Sequence, residues 1–268
     1  MRPIHALATG ALLTAATVAA ISATATADTY AWHTARVGGA AASGTLAARV
    51  PPPVGFERTP AAAGSFAAWL RGLPMKPVGS PVLLFTGASK ARQDVHTAVV
   101  DIDVGKRDLQ QCADAIMRLR AEWLWSVGRA RDIAFDDTDG KRRSFSATGK
   151  SDYAAFRKYM DLVFAYAGTY SLDRELKAVS PADITIGDVF IKGGFPGHAV
   201  LIADMARNAS GETRFLLVQS YMPAQEIHVL KNPASPDGSP WYATPVTFPF
   251  ATPEWVFPAN SLKRFPKD

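Results

Sequence analysis

An α+β fold is what this 268-residue sequence predicts, and three observations carry the prediction. Leu109 to Val127 and Ser151 to Ala165 each repeat their apolar residues at the three-and-four spacing of a buried helix face. From Ile184 to Leu230 the texture changes to short β-branched runs separated by turns rich in Gly, Pro and Asn. Helices that precede a run of strands, rather than alternating with them, argue for helices packed on an antiparallel meander.

Taken in order, the chain opens with Met1-Arg2 and an apolar, Ala-rich stretch from Ala6 to about Ala20, followed by Ala25-Thr26-Ala27 and Asp28. This reads as a secretory signal peptide over residues 1–27, cleaved after Ala27, and no cysteine follows that site to receive a lipid. Residues 28–53 are rich in Ala, Gly and Thr and end in Pro51-Pro52-Pro53, the composition of a tether. Residues 54–268 then form one α+β domain, exported to the periplasm or secreted.

Within that domain Ser65–Arg71 forms a short helix with Phe66, Trp69 and Leu70 on one face, and Val82–Phe85 forms a strand. His96–Val104 is expected as a longer strand, with Thr97, Val99, Asp101 and Asp103 on one side and His96, Ala98, Val100, Ile102 and Val104 on the other. Asp108 starts the next helix, which makes Cys112 about its fourth residue and gives it a buried stripe of Leu109, Cys112, Ile116, Leu119 and Trp123. Asp136–Gly140 reads as a hairpin tip, Ser151 caps the following helix, and a shorter helix covers Ser171–Ala178. Four strands follow, Ile184–Ile191, His198–Met205, Phe215–Tyr221 and Glu226–Leu230, before an aromatic tail (Trp241, Tyr242, Trp255, Phe257) that wraps the core.

The formal charge is +5 with an isoelectric point near 9.3, yet the basic residues are scattered and only Lys141-Arg142-Arg143 forms a run. Such spacing reads as a solvated surface, with no nucleic-acid partner expected. Downstream of the leader no run approaches the roughly 18 apolar residues of a transmembrane segment. No cofactor is expected: Gly193-Gly194 leads to Pro196 and a strand, so it presents no helix end to a phosphate. Nor is a metal, since His96 and His228 with Asp101 or Asp103 lack zinc-site spacing and Asp136–Gly140 lacks the ligands of a calcium loop.

Cys112 is the sole cysteine, so it has no disulfide partner within its own chain, and a helix start favours its thiolate. A cysteine nucleophile needs a base and a group to hold that base. His198 opens a strand directly after a glycine-rich turn, Gln219 lies on the next strand where it can orient the imidazole, and Asp204 lies further along the strand of His198. Asp101 and Asp103 offer a competing chemistry. Two residues apart on a strand their Cα atoms lie about 7 Å apart on one face, a pair suited to the acid and base of a glycoside hydrolase or to binding a substrate amine near Cys112. Cys112 as an inert core residue, in a non-catalytic envelope protein that binds glycan or peptide through its aromatics, is the bland alternative.

Several segments carry a family resemblance: Val100-Asp-Ile-Asp-Val-Gly, Asp108-Leu-Gln-Gln-Cys-Ala-Asp-Ala, Ile186-Gly-Asp-Val-Phe-Ile, Pro196-Gly-His-Ala-Val and Val218-Gln-Ser-Tyr-Met-Pro-Ala-Gln. They resemble an exported bacterial family catalogued as domain of unknown function 4846, over roughly Gly55 to Phe265. More distantly, Gly187-Asp188-Val189-Phe190, a short loop and the His198 strand are similar to the barrel half of NlpC-type papain-like cysteine peptidases. That second likeness implies helices on an antiparallel sheet or half-barrel, Cys112 as nucleophile, His198 as base and Gln219 as the third polar residue. Gln111 or the Cys112 backbone N–H would then serve the oxyanion, and the substrate would be a peptide or amide, cell-wall peptide being the natural choice for an exported enzyme. In place of an Asp-Cys-Ser-Gly sequence this chain has Gln111-Cys112-Ala113-Asp114, and a longer stretch separates Cys112 from His198 than the compact form of that fold needs.

Overall fold

The computed structural model describes residues 29–34 and 44–266. The expected signal peptide, residues 1–27, lies outside the described residues. Helices are α1 (Ala31–Thr34), α2 (Leu46–Arg49), α3 (Phe66–Arg71), α4 (Cys112–Ser126), α5 (Tyr153–Tyr166) and α6 (Thr169–Glu175). Strands are β1 (Phe56–Arg58), β2 (His96–Val99), β3 (Ala134–Asp136), β4 (Arg142–Ser144), β5 (Lys177–Ala178), β6 (Val189–Lys192), β7 (His198–Asn208), β8 (Thr213–Gln219), β9 (His228–Leu230), β10 (Trp241–Ala243), β11 (Phe250–Ala251), β12 (Val256–Phe257) and β13 (Leu262–Arg264).

The fold is mixed helix and antiparallel sheet. Nine strands make the main sheet in the order β2-β9-β8-β7-β6-β13-β5, with β1 also on β7 and β10 also on β8. Short turns explain its antiparallel pairing, because β6–β7, β7–β8 and β8–β9 are joined by loops too short for a crossover. β7 is buried along nearly its whole length, from His198 to Ala206, which accounts for its almost unbroken apolar sequence. Helices α3 and α4 pack against it. The aromatic tail closes over other parts of the sheet as the sequence predicts: Phe250 stacks on Phe190 at 4.4 Å and Tyr242 stacks on Phe215 at 5.5 Å.

Four differences from the sequence expectation have identifiable causes. The described parts of the supposed tether belong to the core: Tyr30, Trp32, Leu46 and Val50 are all buried, and Trp32 donates its indole N–H to the Asp101 carbonyl at 2.7 Å. Burying side chains of this size stabilises by roughly 1.5–3 kcal/mol each, enough to hold a segment whose composition alone reads as a linker. Val82–Phe85 pairs only through isolated bridges, Leu83 with Ser89 and Leu84 with Gln225.

The strand at His96 stops at Val99: Val100 N–H still bonds beside β9, to the Ile227 carbonyl, but Asp101 N–H turns away to that of Pro74. Finally, α4 starts at Cys112 rather than near Leu109. The Asp108 carboxylate that was to cap it accepts instead from Ala224 N–H at 2.6 Å and from Gln111 Nε2 at 3.0 Å. Cys112 is thus the first residue of the helix, not the fourth.

Candidate functional site

The start of α4 is fixed by one local bond and one from the end of β8. Gln111 is the N-cap, its backbone N–H is accepted by Asp114 Oδ2 at 3.1 Å, and Ser220 Oγ at the end of β8 donates to the Gln110 carbonyl at 3.1 Å. This seats the Cys112 sulfur against the beginning of β7. Burial pushes its thiol up to about 12, and the nearby Asp114 adds to the rise. The backbone N–H groups of Ala113, Ala199 and Cys112 itself pull the other way and lose. The thiol is therefore neutral at physiological pH, against the sequence expectation that the helix end would favour the thiolate.

His198 is the first residue of β7 and is 1% exposed. Its Nε2 lies 2.9 Å from Gln219 Oε1 on the adjacent β8. The orientation of that amide follows from its other partners. Gln219 Nε2 lies 2.7 Å from Glu254 Oε2, and a carboxylate oxygen can only accept, so the amide nitrogen must face Glu254. The same nitrogen is 3.3 Å from His228 Nε2, whose ring also has Nδ1 2.8 Å from the Glu226 carbonyl, so His228 donates through Nδ1 and accepts through Nε2. Gln219 Oε1 is then an acceptor turned to His198, which donates through Nε2 and keeps a bare lone pair on Nδ1.

Lys90 completes the chain by donating to Glu254 Oε1 at 2.6 Å. Burial drives the His198 imidazole down to about 4 despite the Gln219 bond, and burial takes His228 down to about 3. Both are neutral bases at pH 7. The His198 ring is enclosed by Tyr221, Trp255 and Phe257, with centroids 4.7, 5.4 and 5.9 Å away.

A cleft of about 330 Å³ borders Cys112. Gln111, Cys112 and Asp114 form part of its wall, together with Thr169 and the Gly194–Gly197 turn. The turn that leads to His198 has a strict requirement at Gly197. A Cβ there would fall 2.5 Å from the Gly194 carbonyl and 2.6 Å from that of Lys192, and closer still to Thr169 Oγ1. His198 follows Gly197 in the chain but does not itself line the cleft.

The other residues singled out in the sequence go elsewhere. Because β2 ends at Val99, Asp101 and Asp103 do not share a strand face. Asp101 Oδ2 lies 3.4 Å from His33 Nε2, whereas Asp103 pairs with Arg118 at 3.3 Å and Arg157 at 3.7 Å. Neither carboxylate lines the cleft at Cys112, so the expectation that they form an acid–base pair or a substrate site beside the thiol is corrected. Asp204 shares the strand of His198, but a bulge between Ile202 and Asp204 breaks the even spacing, and its carboxylate binds Arg58 at 2.7 Å and Arg71 at 2.5 Å. Gln111 does reach the site, although its amide is held by Asp108 rather than turned to an oxyanion.

Lys90 and Glu254 were missed. Both come from loops far away in sequence, and no local pattern marks them. Among the described residues no group of three or more His, Cys, Asp or Glu side chains converges to hold a metal, and no helix is long and apolar enough to cross a membrane.

The protein is an α+β fold with a buried Cys112 at the start of α4 and a bonded His198–Gln219 pair on β7 and β8. The chain belongs to the family described as domain of unknown function (4846), whose profile matches residues 46–151 and 146–264. No curated protein and no solved structure matches it.

Proposed function

We propose that the chain is a papain-like cysteine hydrolase of peptide or amide bonds, exported after cleavage near Ala27 and acting on cell-wall peptide. The observation that carries this reading is the 2.9 Å bond from His198 to Gln219, which leaves Nδ1 as a base one residue from Ala199, whose N–H faces the Cys112 sulfur. Because thiol and imidazole are both neutral, proton removal accompanies attack. The Cys112 sulfur forms a bond to the acyl carbon while His198 Nδ1 takes the thiol proton, and the carbonyl π electrons move to oxygen. The N–H of Cys112, free of any intrahelical acceptor at the first helical position, supports that oxyanion. Collapse breaks the C–N bond, His198 returns the proton to the leaving amine, and water then hydrolyses the thioester by the same route.

Soluble fragments of cell-wall peptide incubated with the full chain, with Cys112→Ala and with His198→Ala test the reading by mass spectrometry. Cleavage confined to the unsubstituted chain supports it. Cleavage that survives Cys112→Ala overturns it. Export is tested by the amino-terminal sequence of the mature protein, which should begin at Asp28.

A second reading, a non-catalytic envelope protein that binds peptide or glycan, is favoured by the low exposure of the pair, 8% for Cys112 and 1% for His198. Binding of the same fragments without turnover in any of the three chains establishes it in place of the first.

A further inference from the structure

A second cavity, of about 260 Å³, lies beside the later half of α4, where Arg120 and Leu124 form part of its wall. The rest of the lining comes from the 3₁₀ turn Ala130–Asp132, from β3 and β4, from Glu175 at the end of α6 and from Phe265 and Pro266 of the tail. At 1.5 Å of rise per residue Arg120 stands about 12 Å along the helix from Cys112, and no residue of the Cys112 cleft recurs in this lining. Arginine sets its chemistry. Arg120, Arg129, Arg131 and Arg142 all line it, and a guanidinium stays protonated in proteins. Asp132 and Glu175 are the carboxylates opposite these four, and each already has a partner: Asp132 Oδ2 accepts from Arg129 Nε at 2.7 Å and Glu175 Oε1 from Arg142 Nη1 at 2.6 Å. Four guanidiniums against two carboxylates leave the lining with two positive charges in excess. The most buried of the four, Arg120, is 4% exposed, and its charge lies 4.4 Å from the ring centroid of Trp123, 5.0 Å from that of Phe265 and 5.3 Å from that of Phe66. The negative faces of those rings attract the cation and fix its place in the wall. Arg131 and Arg142 are exposed and Arg129 is half-buried, so these three are within reach of a ligand.

We infer that this cavity binds a phosphate monoester. Such a group carries about −1.5 to −2 charges at pH 7, which matches the excess of the lining. Its three terminal oxygens accept from several guanidinium forks at once, whereas a carboxylate offers two oxygens to one fork. In a concave wall backed by buried aromatic rings, the attraction is screened less than on an open surface. The site is separate from the proposed hydrolase and uses none of its residues, so it stands whether or not Cys112 is a nucleophile. The same phosphate chemistry has two sources, a soluble ester or the headgroup of a phosphatidic acid, and the experiment tells them apart.

Calorimetry of the full chain is run with glycerol 3-phosphate, with glycerate and with glycerol. Glycerol 3-phosphate should bind about tenfold or more tightly than glycerate, and glycerol should give no heat. Arg131→Gln removes an exposed guanidinium without touching the core and should weaken glycerol 3-phosphate by about tenfold, the worth of one charge-assisted contact. Lys158→Gln removes the same charge from α5, outside this lining, and should leave the affinity within about twofold. No binding of glycerol 3-phosphate up to about 10 mM, equal affinity for glycerate, or a loss in Lys158→Gln as large as that in Arg131→Gln overturns the inference. Sedimentation with phosphatidylcholine vesicles, with and without phosphatidic acid, then identifies the source. Retention that needs both phosphatidic acid and Arg131 assigns the site to the headgroup, and binding of glycerol 3-phosphate without such retention assigns it to a soluble ester.

Discussion

Two buried polar clusters lie in this molecule, and they differ in what they leave unpaired. Around Arg118, whose side chain is 0% exposed, the groups satisfy one another: the guanidinium donates to Glu122 at 2.6 Å, Gln110 at 3.0 Å, Asp103 at 3.3 Å and the Tyr153 hydroxyl at 3.4 Å. Opposite charges outweigh desolvation there and raise the Arg118 pKa further. In the Lys90–Glu254–Gln219–His198 chain each member is also bonded, but the last one ends on a neutral ring with a lone pair to spare. Charge that is fully matched holds a fold together, whereas a dry, uncharged base at the end of a chain of bonds is equipped to accept a proton. The first cluster draws on residues in and around α4, from Asp103 to Tyr153, whereas the second gathers residues spread from Lys90 to Glu254.

The contrast yields predictions of decreasing size. Arg118→Ala leaves the buried Glu122 without its charge partner, and breaking such a pair costs about 3–5 kcal/mol, so the midpoint of urea unfolding should fall sharply. A change under about 1 kcal/mol would show that the first cluster is not structural. His198→Ala should instead reduce cleavage of a peptide substrate by about 10²–10⁴-fold, the usual contribution of a general base, with little change in the far-ultraviolet circular dichroism. Retained cleavage would remove the functional half of the comparison.

Glu254→Gln tests the orientation of the second chain. A glutamine there can accept or donate, so it no longer dictates which way Gln219 points, and His198 loses its fixed tautomer. Activity should fall by roughly tenfold, the worth of about 1.4 kcal/mol. The ¹⁵N shifts of His198 should move from a single Nε2–H form to a mixture, whereas an unchanged tautomer would show that Glu254 plays no such part.

A separate effect, on stability rather than activity, belongs to the two depressed histidines. With His198 near 4 and His228 near 3 in the folded state against about 6.5 unfolded, the unfolded chain binds more protons between those values. Their contribution to stability is complete above about pH 6.5 and is lost as pH falls toward 4 and then 3. The pH slope of the unfolding free energy should accordingly be shallower in His228→Gln than in the unsubstituted chain, as chemical denaturation across that window will show. Asp103→Asn should do least. Its side chain is 44% exposed, so a loss of about 0–1 kcal/mol and unchanged cleavage are expected, while abolished activity would restore the carboxylate chemistry read from the sequence.

Much of the frame was readable because it rests on local periodicity. The β7 and β8 strands and the β3–β4 hairpin around Asp137–Gly140 follow from spacing and turn residues, and the His198–Gln219 meeting follows from two neighbouring strands of a meander, whereas α4, read as a one-sided stripe, is buried on every face from Cys112 to Leu124. Other features depended on competition between distant partners. Asp108 is a good helix cap by type, but Ala224 N–H claims its carboxylate and α4 starts later. The Asp101–Asp103 face vanished because the Pro74 carbonyl claims the Asp101 N–H and draws the backbone off the ladder with β9. Tyr30 and Trp32 lie in a stretch of linker-like composition, yet their rings found a place in the core.

The α+β class, the order of the elements and the meeting of His198 with Gln219 follow from the amino-acid order, since helix and strand periods are properties of consecutive residues. Only the tertiary structure decided the ionisation of Cys112 and His198 and the acceptor that turns Gln219. The reason is physical: a helix end acts on Cys112 through adjacent N–H groups, but the larger desolvation comes from the whole sheet packed around it, and Glu254 reaches Gln219 across a sequence gap that no local pattern spans.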